Sequence, residues 1–126
     1  MAIEGRYFSW MMAAGENLDD LTPWKGNLFR AINAKGRPAN NGQEACGLLV
    51  FAGRAWERVS LGYAGIMKFA AGADIAAGQP VTVGKGGYIF PATPGTHVVG
   101  RCLDCAVAQG HIGTGMFNFA VTAYVP

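Results

Sequence analysis

Charge is what this sequence has least of. Asp, Glu, Lys and Arg make up only 14% of its 126 residues, against about 25% in an average soluble domain. Ten basic side chains face eight acidic ones, and neither half of the chain carries the excess, so a basic nucleic-acid binder is excluded. Serine is scarcer still. Ser9 and Ser60 are the only two, and neither sits in a G-x-S-x-G elbow, which removes the usual hydroxyl nucleophile. Long apolar runs are also missing. The longest stretch without formal charge, 105–126, is broken by Gln109, His111, Asn118 and three glycines, and does not read as a membrane span. Residues 7–15 are apolar, but Glu4 offsets Arg6 ahead of them and no basic run precedes them, so they do not read as a signal peptide. Cysteine is sparse and odd in number: Cys46, Cys102 and Cys105 imply no disulfide framework and fit synthesis in a reducing cytoplasm.

What the chain has in quantity is apolar residues, at 51%, and turn formers, nineteen glycines and six prolines. The first excludes disorder. The second excludes a helical bundle, since each glycine inside a helix costs about 1 kcal/mol relative to alanine. A compact β domain remains, with too few charges to cover all of its surface, so part of that surface is expected to meet another protein.

Repeats organise the chain. Trp10–Gly15 resembles Met67–Gly72, and the pattern returns more weakly at Phe117–Thr122. Between these landmarks, Ala34-Lys35-Gly36 matches Gly84-Lys85-Gly86, and Cys46–Leu49 matches Val99–Cys102 in the same order. The reading is an all-β small barrel or β-tulip-like domain with an internal duplication. Residues 1–9 form an N-terminal arm and 10–126 a single domain, with repeats at about 10–66 and 67–120. Short apolar runs between Gly, Pro and Asn clusters predict strands at 28–33, 44–51, 57–63, 66–71, 81–83, 88–90, 97–103 and 115–121. Gly84-Lys85-Gly86-Gly87 supplies a tight hairpin, and 16–22 is the one segment with helical character, stopped by Pro23. Leu48-Leu49-Val50-Phe51 is apolar without alternation, which predicts a strand covered on both faces. Its second cover is a neighbouring subunit, a surface on which the protein sits, or the chain's own N-terminal arm.

Candidate chemistry is thin. Cys102-Leu103-Asp104-Cys105 with His97 and His111 has the ligand types of a zinc site. On a strand, however, residues three apart face opposite ways, and no glycine makes a knuckle between the two cysteines. Buried apolar cysteines explain them better. A redox role is disfavoured because 106–110 is too short for the helix such a pair requires. Asp19-Asp20 reads as a solvated turn, and Gly84–Gly87 lacks the Ser/Thr and the helix of a phosphate loop. No enzyme, no cofactor and no metal are expected. The candidate contact residues are Arg6, Tyr7, Phe8, Trp10 and Met11 near the N-terminus, together with Arg54 and Trp56 in a loop inserted relative to the second repeat.

The run Ala70–Val83, the hairpin Gly84–Gly87 and Val98–Asp104 followed by 106–110 resemble tailed-bacteriophage capsid decoration (cement) proteins. The resemblance covers about 10–120 and is clearer in the second half. It implies a subunit on the outer surface of a phage head, a homotrimer that bridges neighbouring major capsid proteins by binding energy alone, with no direct contact to nucleic acid or membrane. The aromatic-rich N-terminus and the uncharged end at Pro126 depart from the family pattern. Two other classes stay open. One is a carbohydrate-binding barrel of a virion head or tail accessory, with Trp56 and Tyr63 lining a groove. The other is a metal or redox protein built on Cys102, Cys105 and His111.

Overall fold

A computed structural model describes residues 6–18, 26–103, 106–120 and 122–125. Among them the chain is almost wholly β. Its strands are β1 (Tyr7–Ala13), β2 (Ala31–Asn33), β3 (Ala45–Phe51), β4 (Arg58–Ala70), β5 (Ile75–Ala76), β6 (Pro80–Val83), β7 (Ile89–Pro91), β8 (His97–Val98), β9 (Gly100–Cys102), β10 (Ala106–Val107), β11 (Ile112–Asn118) and β12 (Ala123–Tyr124). The main sheet runs β2-β3-β4-β11-β9-β6-β7, with β1 added to β4, and every strand pair is antiparallel. Past the end of β4, Ala71 bridges to Ile89 of β7, and the Gly72 amide donates to the Ile89 carbonyl at 2.8 Å. That contact brings the last strand of the path back to the long central one, which makes the sheet a small barrel.

The expected glycine hairpin is present. Lys85–Gly87 forms one 3-10 turn between β6 and β7, with Gly86 and Gly87 at positive φ. Two of the predicted strands, 57–63 and 66–71, are one continuous thirteen-residue strand. The proposed boundary between repeats, 66/67, therefore falls inside β4. The N-terminal arm also looks different in three dimensions. Tyr7, Phe8 and Ser9 continue the same strand as Trp10–Ala13 and pair along β4. Of the segment with helical character, residues 16–18 are not helical, and 19–22 lie outside the described residues.

The interior is filled by one face of the barrel. Met67, Phe69, Val81, Val83, Ile89, Val99, Cys102 and Phe117 are buried together, with Phe69 and Phe117 edge to face at 5.6 Å. A second, smaller core lies on the other face of the sheet: Ile32, Leu49, Val59 and Leu61 are buried there with Ala14 and Leu18. Leu48 belongs to the first core and Leu49 to the second, which accounts for the lack of alternation in that strand. The second cover is the chain's own segment after β1. Its Leu18 amide donates to the Gly53 carbonyl at 2.8 Å and its Ala14 amide to the Glu57 carbonyl at 2.9 Å.

Candidate docking surfaces

Register decides which of the candidate residues can share a surface, because directly paired residues of an antiparallel ladder project to the same side. Between Phe8 and Ser9 the pairing jumps from Ala64 to Gly62, leaving Tyr63 as an extra residue on β4. This bulge restores the alternation of β4 to that of β1. Tyr7, opposite Gly65, therefore faces the barrel interior and packs against the main core. Phe8, opposite Ala64, and Trp10, opposite Leu61, face outward. Met11 faces the inner way, but at the end of the sheet beyond the core. It pairs with Ser60, and Ser60 in turn pairs with Phe51, so Met11 and the 67% exposed Phe51 flank one serine on an open shelf.

The outer face is apolar on both sides of Trp10 but covered on only one. Toward Leu61 and Val59 the chain roofs it with Ala14 and Leu18. In the other direction the rows are Phe8–Ala64–Asn118 and Ile66–Met116–Arg101, and there Phe8 and Met116 are 68% and 53% exposed. Beside these rows lies a hollow of about 580 Å³, lined by Ala64, Val98, Leu103, Met116 and Ala123 with Arg101 at its side. Arg58, Lys68 and Arg101 are the charged residues of the four strands β1, β4, β9 and β11, and all are basic. Arg101 donates to the Gly78 carbonyl, a neutral acceptor that orients the guanidinium.

Strand β1 is also an edge. Among the described residues it pairs with β4 alone. Protein edges are commonly guarded by charged side chains or proline, whereas Tyr7–Ala13 contains neither. Arg6, exposed just before the strand, accepts the Ile66 amide through its carbonyl at 2.9 Å.

The remaining two candidates, Arg54 and Trp56, lie past the opposite end of β1, in the turn that leads into β4. This turn is braced throughout. The Glu57 carboxylate accepts the Arg54 amide at 2.7 Å, the Ala55 amide donates to Asn17 Oδ1 at 3.0 Å, and the Trp56 amide donates to the Ala14 carbonyl at 2.8 Å. Trp56 stands at its tip, 82% exposed and at φ 69°. A bulky residue held in that conformation carries about 1–3 kcal/mol of strain.

The structure thus brings Phe8 and Trp10 together, turns Tyr7 inward and Met11 to the reverse face, and sets Trp56 apart from all of them. Sequence reading missed Phe51, Leu103, Met116 and Tyr124, all exposed apolar side chains. Each sits in or beside a run that also supplies core residues, so only the register separates them. The groove imagined between Trp56 and Tyr63 is not formed. Tyr63 is half-buried beneath Phe8, with ring centroids 6.2 Å apart.

No group of three or more His, Cys, Asp or Glu able to hold a metal occurs among the described residues. Cys102 is buried in the main core, and Asp104 and Cys105 lie outside the described residues. Cys46 is half-buried against the second core, and this burial pushes its thiol pKa up. No helix of the described residues is long and apolar enough to cross a membrane.

No protein-family model matches the chain, and no curated protein matches it. Among solved structures it is similar to the N base of the head fiber gp8.5 of bacteriophage phi29, with a TM-score of 0.66 and 18% identity over 90% of this chain and 96% of that one. The likeness is one of fold, and it runs the length of the barrel.

Proposed function

We propose that this protein is a structural accessory of a tailed-phage head, seated on the outer surface of the capsid as a homotrimer that bridges major capsid subunits. The observation that carries the reading is the fold shared, nearly end to end, with the base of a phage head fiber. The surface supports it: β1 offers an unguarded edge with Phe8, Trp10 and Met11 exposed along it and Arg6 at its start. Such a strand contributes backbone hydrogen bonds and apolar contact together, the two terms a cementing protein needs against internal pressure. The work is binding, with no chemical step. Mixing the purified protein with empty expanded heads and pelleting them tests it. Co-sedimentation that Phe8→Glu abolishes is the expected result, and free protein left in the supernatant at micromolar concentration removes the reading.

A further inference from the structure

We propose that copies of this chain associate head to tail, with the Trp56 turn of one seated in the hollow beside Met116 of the next. The inference rests on the trimer reading above and gives that trimer its interface. Two features of the surface are complementary. One is a knob: an indole 82% exposed, held out at φ 69° by a turn whose backbone is tied down at Arg54, Ala55 and Trp56. Nothing within the turn requires tryptophan, and glycine or asparagine would sit there without strain. The other is a hole of about 580 Å³ with an apolar lining, roomy enough for an indole by the usual scale of binding pockets.

Charge matches as well. Arg101 beside the hollow is held by a neutral carbonyl, so its guanidinium can stack on the indole face. Glu57, exposed next to the knob, brings a carboxylate to a face whose strands carry only basic charge. Arg54 of the same turn already has a partner within the chain.

The knob cannot fill its own hole. It precedes the first residue of β4, while the hollow begins at Ala64, six strand residues and about 20 Å further along. Any contact of the two is therefore between copies. Because knob and hole are different patches it is heterologous, and it closes into the ring of the trimer reading when three copies complete the rotation.

Sedimentation of the full chain without capsids, up to millimolar concentration, tests this. Wild type is expected as a closed ring. Trp56→Gly and Met116→Glu are each expected to weaken association at least about 30-fold, as loss of a central aromatic anchor does. At a dilution where both chains are monomeric, Trp56→Gly should melt at or above wild type, because the substitution relieves the positive-φ turn. An equimolar mixture of the two variants retains one good knob and one good hole, and is expected to give one-to-one dimers that do not grow into rings. A monomeric wild type, variants that assemble like wild type, or a mixture that stays monomeric each overturn the proposal. If wild type is monomeric and Trp56→Gly instead loses capsid pelleting, Trp56 belongs to the capsid contact and the head-to-tail interface is wrong. If rings form but do not pellet with capsids, the capsid reading fails and the interface stands.

Discussion

A β-carbon on Gly65 would lie 2.6 Å from the Tyr7 α-carbon and closer still to the Arg6 carbonyl oxygen. Strand β1 can lie against the middle of β4 only because this position has no side chain, and its φ of 117° is one that L-residues rarely adopt. Two residues away, the bulge at Tyr63 sets which β1 side chains face outward.

Gly65→Ala is therefore expected to destabilise the domain by at least about 1–3 kcal/mol, the strain of the dihedral alone. Equilibrium denaturation reads the loss, and hydrogen exchange should show faster amide exchange concentrated in Tyr7–Ala13.

The two cores should respond as parts of one cooperative unit. Phe69→Ala in the barrel interior is expected to cost about 3–5 kcal/mol, and Leu61→Ala in the smaller core about 2–5 kcal/mol. A cost for Leu61→Ala below about 1 kcal/mol would show that the 14–18 segment does not seal the outer face in solution.

Phe8→Glu should leave stability within about 0.5 kcal/mol of wild type, as surface substitutions usually do. Its effect belongs in the capsid-pelleting assay. A large fall in melting temperature would instead mean that the Phe8–Tyr63 stack is structural.

Cys46 makes stability depend on pH in one direction. Burial raises its pKa in the folded chain, so above the ordinary thiol value of about 8.5 the unfolded chain has released a proton that the folded chain still holds. Stability from this group is complete below that pH and falls as pH rises through the folded pKa. Denaturation curves of wild type and Cys46→Ser should run parallel at neutral pH and diverge above about pH 8.5, with wild type losing more.

Much of the barrel was legible from local chemistry. Gly84–Gly87 announced the β6–β7 hairpin, because positive-φ glycines between short apolar runs leave few alternatives. The unalternating Leu48–Phe51 announced a strand with two covers. Where local signals misled, a tertiary partner outweighed them. Gly65 falls in the break between the predicted strands 57–63 and 66–71, yet it lies within β4, where a β-carbon would collide with the β1 backbone; at Gly62 one would collide with the Met67 sulfur. Tyr7–Ala13 has no alternation to mark it as a strand, and its pairing with β4 supplies what its own sequence does not.

Composition alone settled the class: few charges, abundant glycine and apolar content leave little besides a turn-rich β domain with covered surface. It could not say which apolar residues are covered, because exposed Phe8, Met116 and Phe51 are chemically indistinguishable from buried Phe69, Met67 and Phe117. That distinction turns on register: at Phe8 on the extra residue Tyr63 in β4, at Phe51 on the shift between Leu49 and Phe51, and at Met116 on its pairing with Ile66. A period of two means that a single-residue slip moves every side chain to the opposite face. The docking surfaces are therefore a property of how β1, β4 and β11 meet, decided only when the sheet closes.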